Sequence, residues 1–181
     1  GNAANLSGLY SAGDIVTCEV TPNDGAGAGT ALSVSVTIQN TAPVVNSVAL
    51  SLSPVYTDDT ITPNVTSSDA DGDSITLGYA WYVDGSLSIS THSYLDGTVY
   101  FSKDQVVYVD VTPTDGTTVG TTVTSASITI SNTLPTAPTI GVTPAIPSAG
   151  FDDIVCAVTT SSTDTDNDTI TYDFEWTLNS V

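Results

Sequence analysis

The sequence predicts an all-β fold built on a repeated unit, and three observations carry that expectation. Thr, Val and Ile are abundant, whereas Lys and Arg together number 1 and Met is absent, a usage that suits strands and starves helices. Short runs of period-two alternation are separated by turn residues along the chain. Two long stretches recur: "VTPTDGTTVGTTVTSASITISNTLP" (111–135) echoes "VTPNDGAGAGTALSVSVTIQNTAP" (20–43), and "DDTITPNVTSSDADGDSITLGYAW" (58–81) echoes "DDIVCAVTTSSTDTDNDTITYDFEW" (152–176).

Taken in order, the alternation predicts strands near 44–52, 60–67, 75–83, 86–91, 94–101, 105–112 and 121–131. Asp84-Gly85 between the third and fourth is a tight-hairpin signal. Pro63 lacks an N–H for a ladder, so it requires an edge or a bulge. About seven short strands in roughly ninety residues, with Trp81 on the third, predict an immunoglobulin-like β-sandwich. Trp81 and Trp176 are both expected in cores.

The phase of the repeat sets the domain organisation. Residues 1–40 read as the second half of such a domain, 41–132 as a complete one and 133–181 as a first half. Joined as 133–181 followed by 1–40, the halves total 89 residues against 92 for the whole copy. Across that seam Leu6-Ser7-Gly8 falls on Leu95-Asp96-Gly97, and Val20-Thr21-Pro22 on Val111-Thr112-Pro113. The linkers "NTAP" and "NTLPTAP" are too short to fold one half back onto the other. Each half is therefore expected to meet its complement in a neighbouring copy, with Val181 beside the next Gly1. One tandem polypeptide or separate subunits exchanging halves would both satisfy this.

The formal net charge is −19, from 18 Asp and 2 Glu against the single cation Lys103. Such a chain repels nucleic acid, whose binding needs Lys and Arg on phosphates, and anionic lipid surfaces alike. No apolar run approaches the ~20 residues of a membrane-spanning helix. The chain opens at Gly1 without a signal peptide, so any targeting segment is expected outside it. Asp outnumbering Glu points to turn capping and to short-reach oxygen cages for Ca²⁺; an acidic, solvated surface gives the same composition.

Two loops place carboxylates at alternate positions: Asp69, Asp71 and Asp73 in "DADGD", and Asp164, Asp166 and Asp168 in "DTDND". Such carboxylates converge where the loop turns, and Gly72 or Asn167 tolerates the left-handed conformation required. The bidentate Glu that completes an EF-hand is missing, and a solvated Asp turn without metal is the competing reading. In a sandwich the loop lies beside that carrying Asp115 or Asp24, so both are added as candidate Ca²⁺ ligands. Asp58-Asp59 and Asp152-Asp153 read as turn caps. Cys156 on the second strand and Cys18 on the sixth strand of the joined domain occupy the positions of an inter-sheet disulfide, formed between adjacent copies; two separate thiols are the alternative.

No catalytic constellation is present, because His92 is the only histidine and has no spaced partner. The chain is therefore read as a non-enzyme. Asn5, Asn64 and Asn167 head N-x-S/T triplets and offer glycan acceptors, although Asn167 would conflict with a metal loop.

The segment "SSDADGDSITLGYAWYVDG" resembles the polycystic-kidney-disease-type and related bacterial immunoglobulin-like repeats, and "NTAP" is similar to the linkers of cadherin-like and adhesin repeats. The likeness covers nearly the whole chain; "WYVDG" and "WTLNS" depart from the usual Gly-Asp-Gly ending. It implies an extracellular stalk, fibre or surface adhesin, often rigidified by Ca²⁺, whose partners are further copies end to end, with surface glycans a further candidate. A Ca²⁺-stabilised accessory module of a secreted enzyme, carbohydrate-binding or spacer, is the second expectation.

Overall fold

The computed structural model describes residues 3–8, 10–51 and 53–178, so the Val181–Gly1 junction lies outside the described residues. Among the described residues the chain is all-β but for one helical turn. It begins with β1 (Ile15–Val20) and β2 (Leu32–Thr37), an antiparallel hairpin in the register Val20↔Leu32. A central unit follows: β3 (Val44–Leu50), β4 (Val55–Tyr56), β5 (Thr60–Ile61), β6 (Pro63–Ser68), β7 (Thr76–Val83), β8 (Ser86–Leu87), β9 (Leu95–Asp96), α1 (Gly97–Tyr100), β10 (Val106–Thr114), β11 (Val123–Thr124) and β12 (Ile128–Ser131). A second hairpin, β13 (Thr139–Thr143) with β14 (Val155–Thr160), comes last.

The main sheet runs β4-β12-β10-β7-β8, with β11 also on β10. β3 pairs with β6, and β5 with β9, in two smaller sheets. All three contribute to one core, because strict alternation along β10 turns Val107, Val109 and Val111 inward to meet Val45, Ile61, Trp81 and Leu95. Trp81 is fully buried and its Nε1 donates to the His92 carbonyl at 2.9 Å, so its polar edge is satisfied. Asp84 and Gly85 both take positive φ in the β7–β8 hairpin, as their sequence requires. Pro63 opens β6 in a two-stranded sheet, where its missing N–H removes no interior ladder bond.

Four expected strands differ. The 94–101 run is a two-residue strand and one helical turn: Asp96 caps the Thr98 N–H at 3.0 Å, and Gly97 sits where a Cβ would lie 2.2 Å from the Thr57 carbonyl. The 121–131 run breaks at Ser125, whose backbone N–H reaches the Val109 carbonyl at 2.9 Å while its Oγ accepts from the Val109 N–H at 3.1 Å. Thr62 separates β5 from β6, and the expected strand 86–91 ends after Leu87.

The two terminal hairpins differ from the central unit in burial, not in local geometry. The turn at 11–14 repeats that at 102–105: Ser11 N–H to Asp14 and Ser102 N–H to Gln105 are both 2.8 Å, and Gly13 N–H to Ile38 and Asp104 N–H to Ile130 are both 2.9 Å. Val20↔Leu32 likewise repeats Val111↔Val123. Yet Val20 is 63% exposed where Val111 is buried, and Trp176 is 60% exposed where Trp81 is buried. Among the described residues the segment 170–178 belongs to no ladder, whereas its counterpart β7 is paired along its length with β10. Among the described residues nothing faces Trp176 as β10 faces Trp81, so within a single copy it stands open.

Candidate metal loops at the unit junctions

Both aspartate loops adopt the same fold. Asp69 Oδ1 accepts the Asp71 and Asp73 N–H groups at 2.8 and 3.2 Å; Asp164 Oδ1 accepts those of Asp166 and Asp168 at 2.8 and 3.2 Å. Gly72 and Asn167 take φ of +82° and +61°, which turns each loop on itself. In each loop one oxygen per carboxylate lies within 4.8 Å of the other two. At that separation unit charges repel by about 1 kcal/mol per pair even in water.

Each loop also grips the linker that precedes it. Thr41 N–H donates to Asp71 Oδ2 at 2.6 Å, and Thr133 N–H to Asp166 Oδ2 at 2.5 Å. The Asn of each Asn-Thr pair sits alongside: Asn40 Nδ2 donates to Asp115 Oδ2 at 2.8 Å and Thr118 Oγ1 at 2.9 Å, while Asn132 Oδ1 accepts from Lys103 Nζ at 3.3 Å. The carboxylates thus sit at two joints, the Asn-Thr linkers on either side of the central unit.

The joints differ in what faces the acids. At the second, the Lys103 ammonium pairs with Asp168 and the Thr57 hydroxyl donates to Asp166. The Thr57 hydroxyl, with the Thr133 N–H and Lys103, holds the Asp166 carboxyl below its ordinary range, and the Asp168 bond raises Lys103. At the first joint the matching turn position is Ala12, and a cleft of about 490 Å³ lined by Ala12, Gly13, Asn40, Asp71 and Asp73 lies there instead.

The donor set fits a hard cation. Asp69 Oδ2 is buried with no hydrogen-bond partner, as is Thr133 Oγ1 beside the second loop, and carboxylate oxygens on a tight loop are the ligands Ca²⁺ takes. Asp69, Asp71 and Asp73 retain more unpartnered oxygens than Asp164, Asp166 and Asp168, which share theirs with Thr57 and Lys103. Neither Asp115 nor Asp24 joins these groups. Asp115 Oδ1 caps Thr117 and Thr118 N–H at 2.6 Å and its other oxygen holds Asn40; Asp24 Oδ1 caps Ala26 and Gly27 at 2.9 and 3.0 Å. Those bonds lower both carboxyls, led by Thr118 for Asp115 and by Ala26 for Asp24. Asp59 and Asp152 cap turns through the Tyr56 and Ser148 N–H groups.

No family model, curated protein or solved structure matches the chain.

Cys18 lies exposed on β1 and Cys156 half-buried on β14, unpaired with each other within the chain. Cys156 lines a groove of about 230 Å³ with Pro138, Ile140, Val158, Tyr172 and Phe174. Sequence reasoning missed the Lys103–Asp168 pair, the Thr57–Asp166 bond and the Asn-Thr grip. The one signal for the first was that the chain spends its only Lys on this turn.

Proposed function

We propose that the chain is a repeating structural unit of an extracellular filament, stalk or surface adhesin, without catalysis of its own. Residues 133–181 of one copy and 1–40 of the next complete an immunoglobulin-like sandwich, and Ca²⁺ on the two aspartate loops stiffens the joints. The observation that carries the reading is the mismatch in burial: apolar positions closed over in the central unit stand open at both ends, with Trp176 and Val20 more than half exposed. Apolar faces of this kind are unfavourable in water and mark interaction surfaces. Ca²⁺ at Asp69, Asp71 and Asp73 would neutralise the carboxylate repulsion and tie the loop to the Thr41 linker; the second loop would act on Thr133. Cys18 and Cys156 of adjacent copies would pair across the completed core. The test is assembly: the 181-residue chain should form end-to-end polymers visible by electron microscopy, stiffer with Ca²⁺ than with chelator, and joined by a reducible crosslink. A monodisperse monomer under all these conditions would refute the reading.

A further inference from the structure

We propose that, within the assembly just described and resting on it, β1 of the next copy adds antiparallel to residues 171–178 in one register. That register sets Val20 opposite Phe174, Cys18 opposite Trp176, and the chain's only two glutamates, Glu19 and Glu175, side by side. The occupant is a second copy of this chain, and the central unit is the template.

Three observations fix the template. β10 pairs with β7 through Val111↔Tyr79, Asp110↔Ala80 and Val109↔Trp81. β1 matches β10 by its turn bonds and its hairpin register, Glu19↔Ser33 repeating Asp110↔Thr124. Residues 170–178 match β7 by the recurring Asp loop and Trp, and the Tyr172 hydroxyl, accepting the Ser162 N–H at 2.7 Å, ties that segment beside β14. Thus, among the described residues, β1 has an unused edge, 171–178 has no ladder partner, and their counterparts satisfy each other.

Alternation then sorts the side chains. Val16, Cys18 and Val20 face inward as Val107, Val109 and Val111 do, onto the groove holding Phe174. In the completed sheet, alternation from Trp176 would turn Glu175 and Asp173, which in this copy also line the Phe174 groove, outward with Glu19, flanked by Thr17, Thr21 and Thr177. The central unit has Ala80 opposite Asp110, and Thr124 Oγ1 donates to that aspartate at 2.5 Å, so the seam alone carries like charges directly opposite. A shift by two residues would separate them. Gly29 gives an independent mark. Its counterpart Gly120 lies where a Cβ would sit 1.9 Å from the Pro43 carbonyl, whereas a Cβ on Gly29 meets nothing in this chain closer than Pro22 Cγ at 3.0 Å. The need for glycine there arises once the 135–138 linker of the neighbouring copy is seated.

The experiment is a charge-reversal cycle on the full chain under reducing conditions, with end-to-end association measured by sedimentation. Glu19→Lys and Glu175→Lys should each tighten association by about two- to thirtyfold, the span from like to opposite charge in a cross-strand pair. The double variant should return to wild type. Gly29→Ala, whose methyl needs only a small shift of Pro22 within the copy, should move the monomer's denaturation midpoint far less than Gly120→Ala does and weaken association at least tenfold. If wild type associates but the two reversals merely add, or Gly29→Ala assembles normally, this register is overturned while the filament reading stands. If wild type does not associate at all, both fall together.

Discussion

Replacing Trp176 by Ala tests the open half-core through a residue whose twin is already buried. A tryptophan buries about 150–250 Å² when enclosed. Trp176 is 60% exposed, so covering it removes roughly 90–150 Å² more from water. At about 25 cal/mol/Å² that contributes ~2–4 kcal/mol to assembly, a factor of roughly 40 to 600 in the association constant. Trp176→Ala should therefore weaken end-to-end association by that factor and change the stability of the dissociated chain by no more than ~1 kcal/mol. Trp81→Ala removes a fully enclosed ring whose N–H is bonded, and should cost ~3–5 kcal/mol in the central unit whether or not copies associate. Sedimentation and urea titration measure the two quantities separately, and Trp fluorescence in a Trp81→Phe background reports on position 176 alone. Its emission should move to shorter wavelength as copies associate. Polymers in which Trp176 keeps the emission of a water-exposed indole, or that form equally well with alanine there, would refute the reasoning.

Calorimetric Ca²⁺ titration should resolve two unequal sites, because the Lys103 ammonium occupies Asp168; Lys103→Ala should raise the affinity of the weaker site towards that of the other. The second joint should hold between two pH limits. Asp166 is lowered from 3.8, so its contribution is complete above that value and lost as pH falls through the depressed one. Lys103 is raised from 10.5, so its contribution is complete below that value and lost as pH rises through the raised one. Hydrogen exchange at the Thr133 amide, bonded to Asp166, should lose protection relative to its intrinsic rate on the acid side, and unchanged protection there would count against the assignment. Gly120→Ala drives a methyl into the Pro43 carbonyl and should destabilise the central unit by about 1–3 kcal/mol or more, read as a lower thermal midpoint.

Much of this architecture is legible in the residues because its causes are local. Alternation through Val107, Val109 and Val111 makes β10 a half-buried strand in any context, and Asp84-Gly85 turns a hairpin wherever it lies. The Asp loops are as local, since Gly72 and Asn167 supply the left-handed residue and each first Asp caps its own loop. What escapes the sequence depends on distant neighbours. Tyr94, Leu95, Val99 and Phe101 read as a strand until the Thr57 carbonyl closes over Gly97. Ser125 interrupts a ladder only because Val109 is there to bond it. Lys103 meets Asp168 across 65 positions, and no periodicity links such residues. Trp176 is the reverse case: the pattern predicts a core residue, and among the described residues of the same copy no surface closes over it.

The presence of Lys103 where the corresponding turn has Ala12 has a mechanical consequence. In a string of these units one hinge carries its own counter-charge within the covalent chain, and the next relies on whatever ions the surrounding water supplies. Bending compliance would then repeat every two units instead of every one. If copies join as proposed, salinity would tune the hinges without a lysine more strongly than those with Lys103, whose part-exposed ion pair is itself weakened by salt.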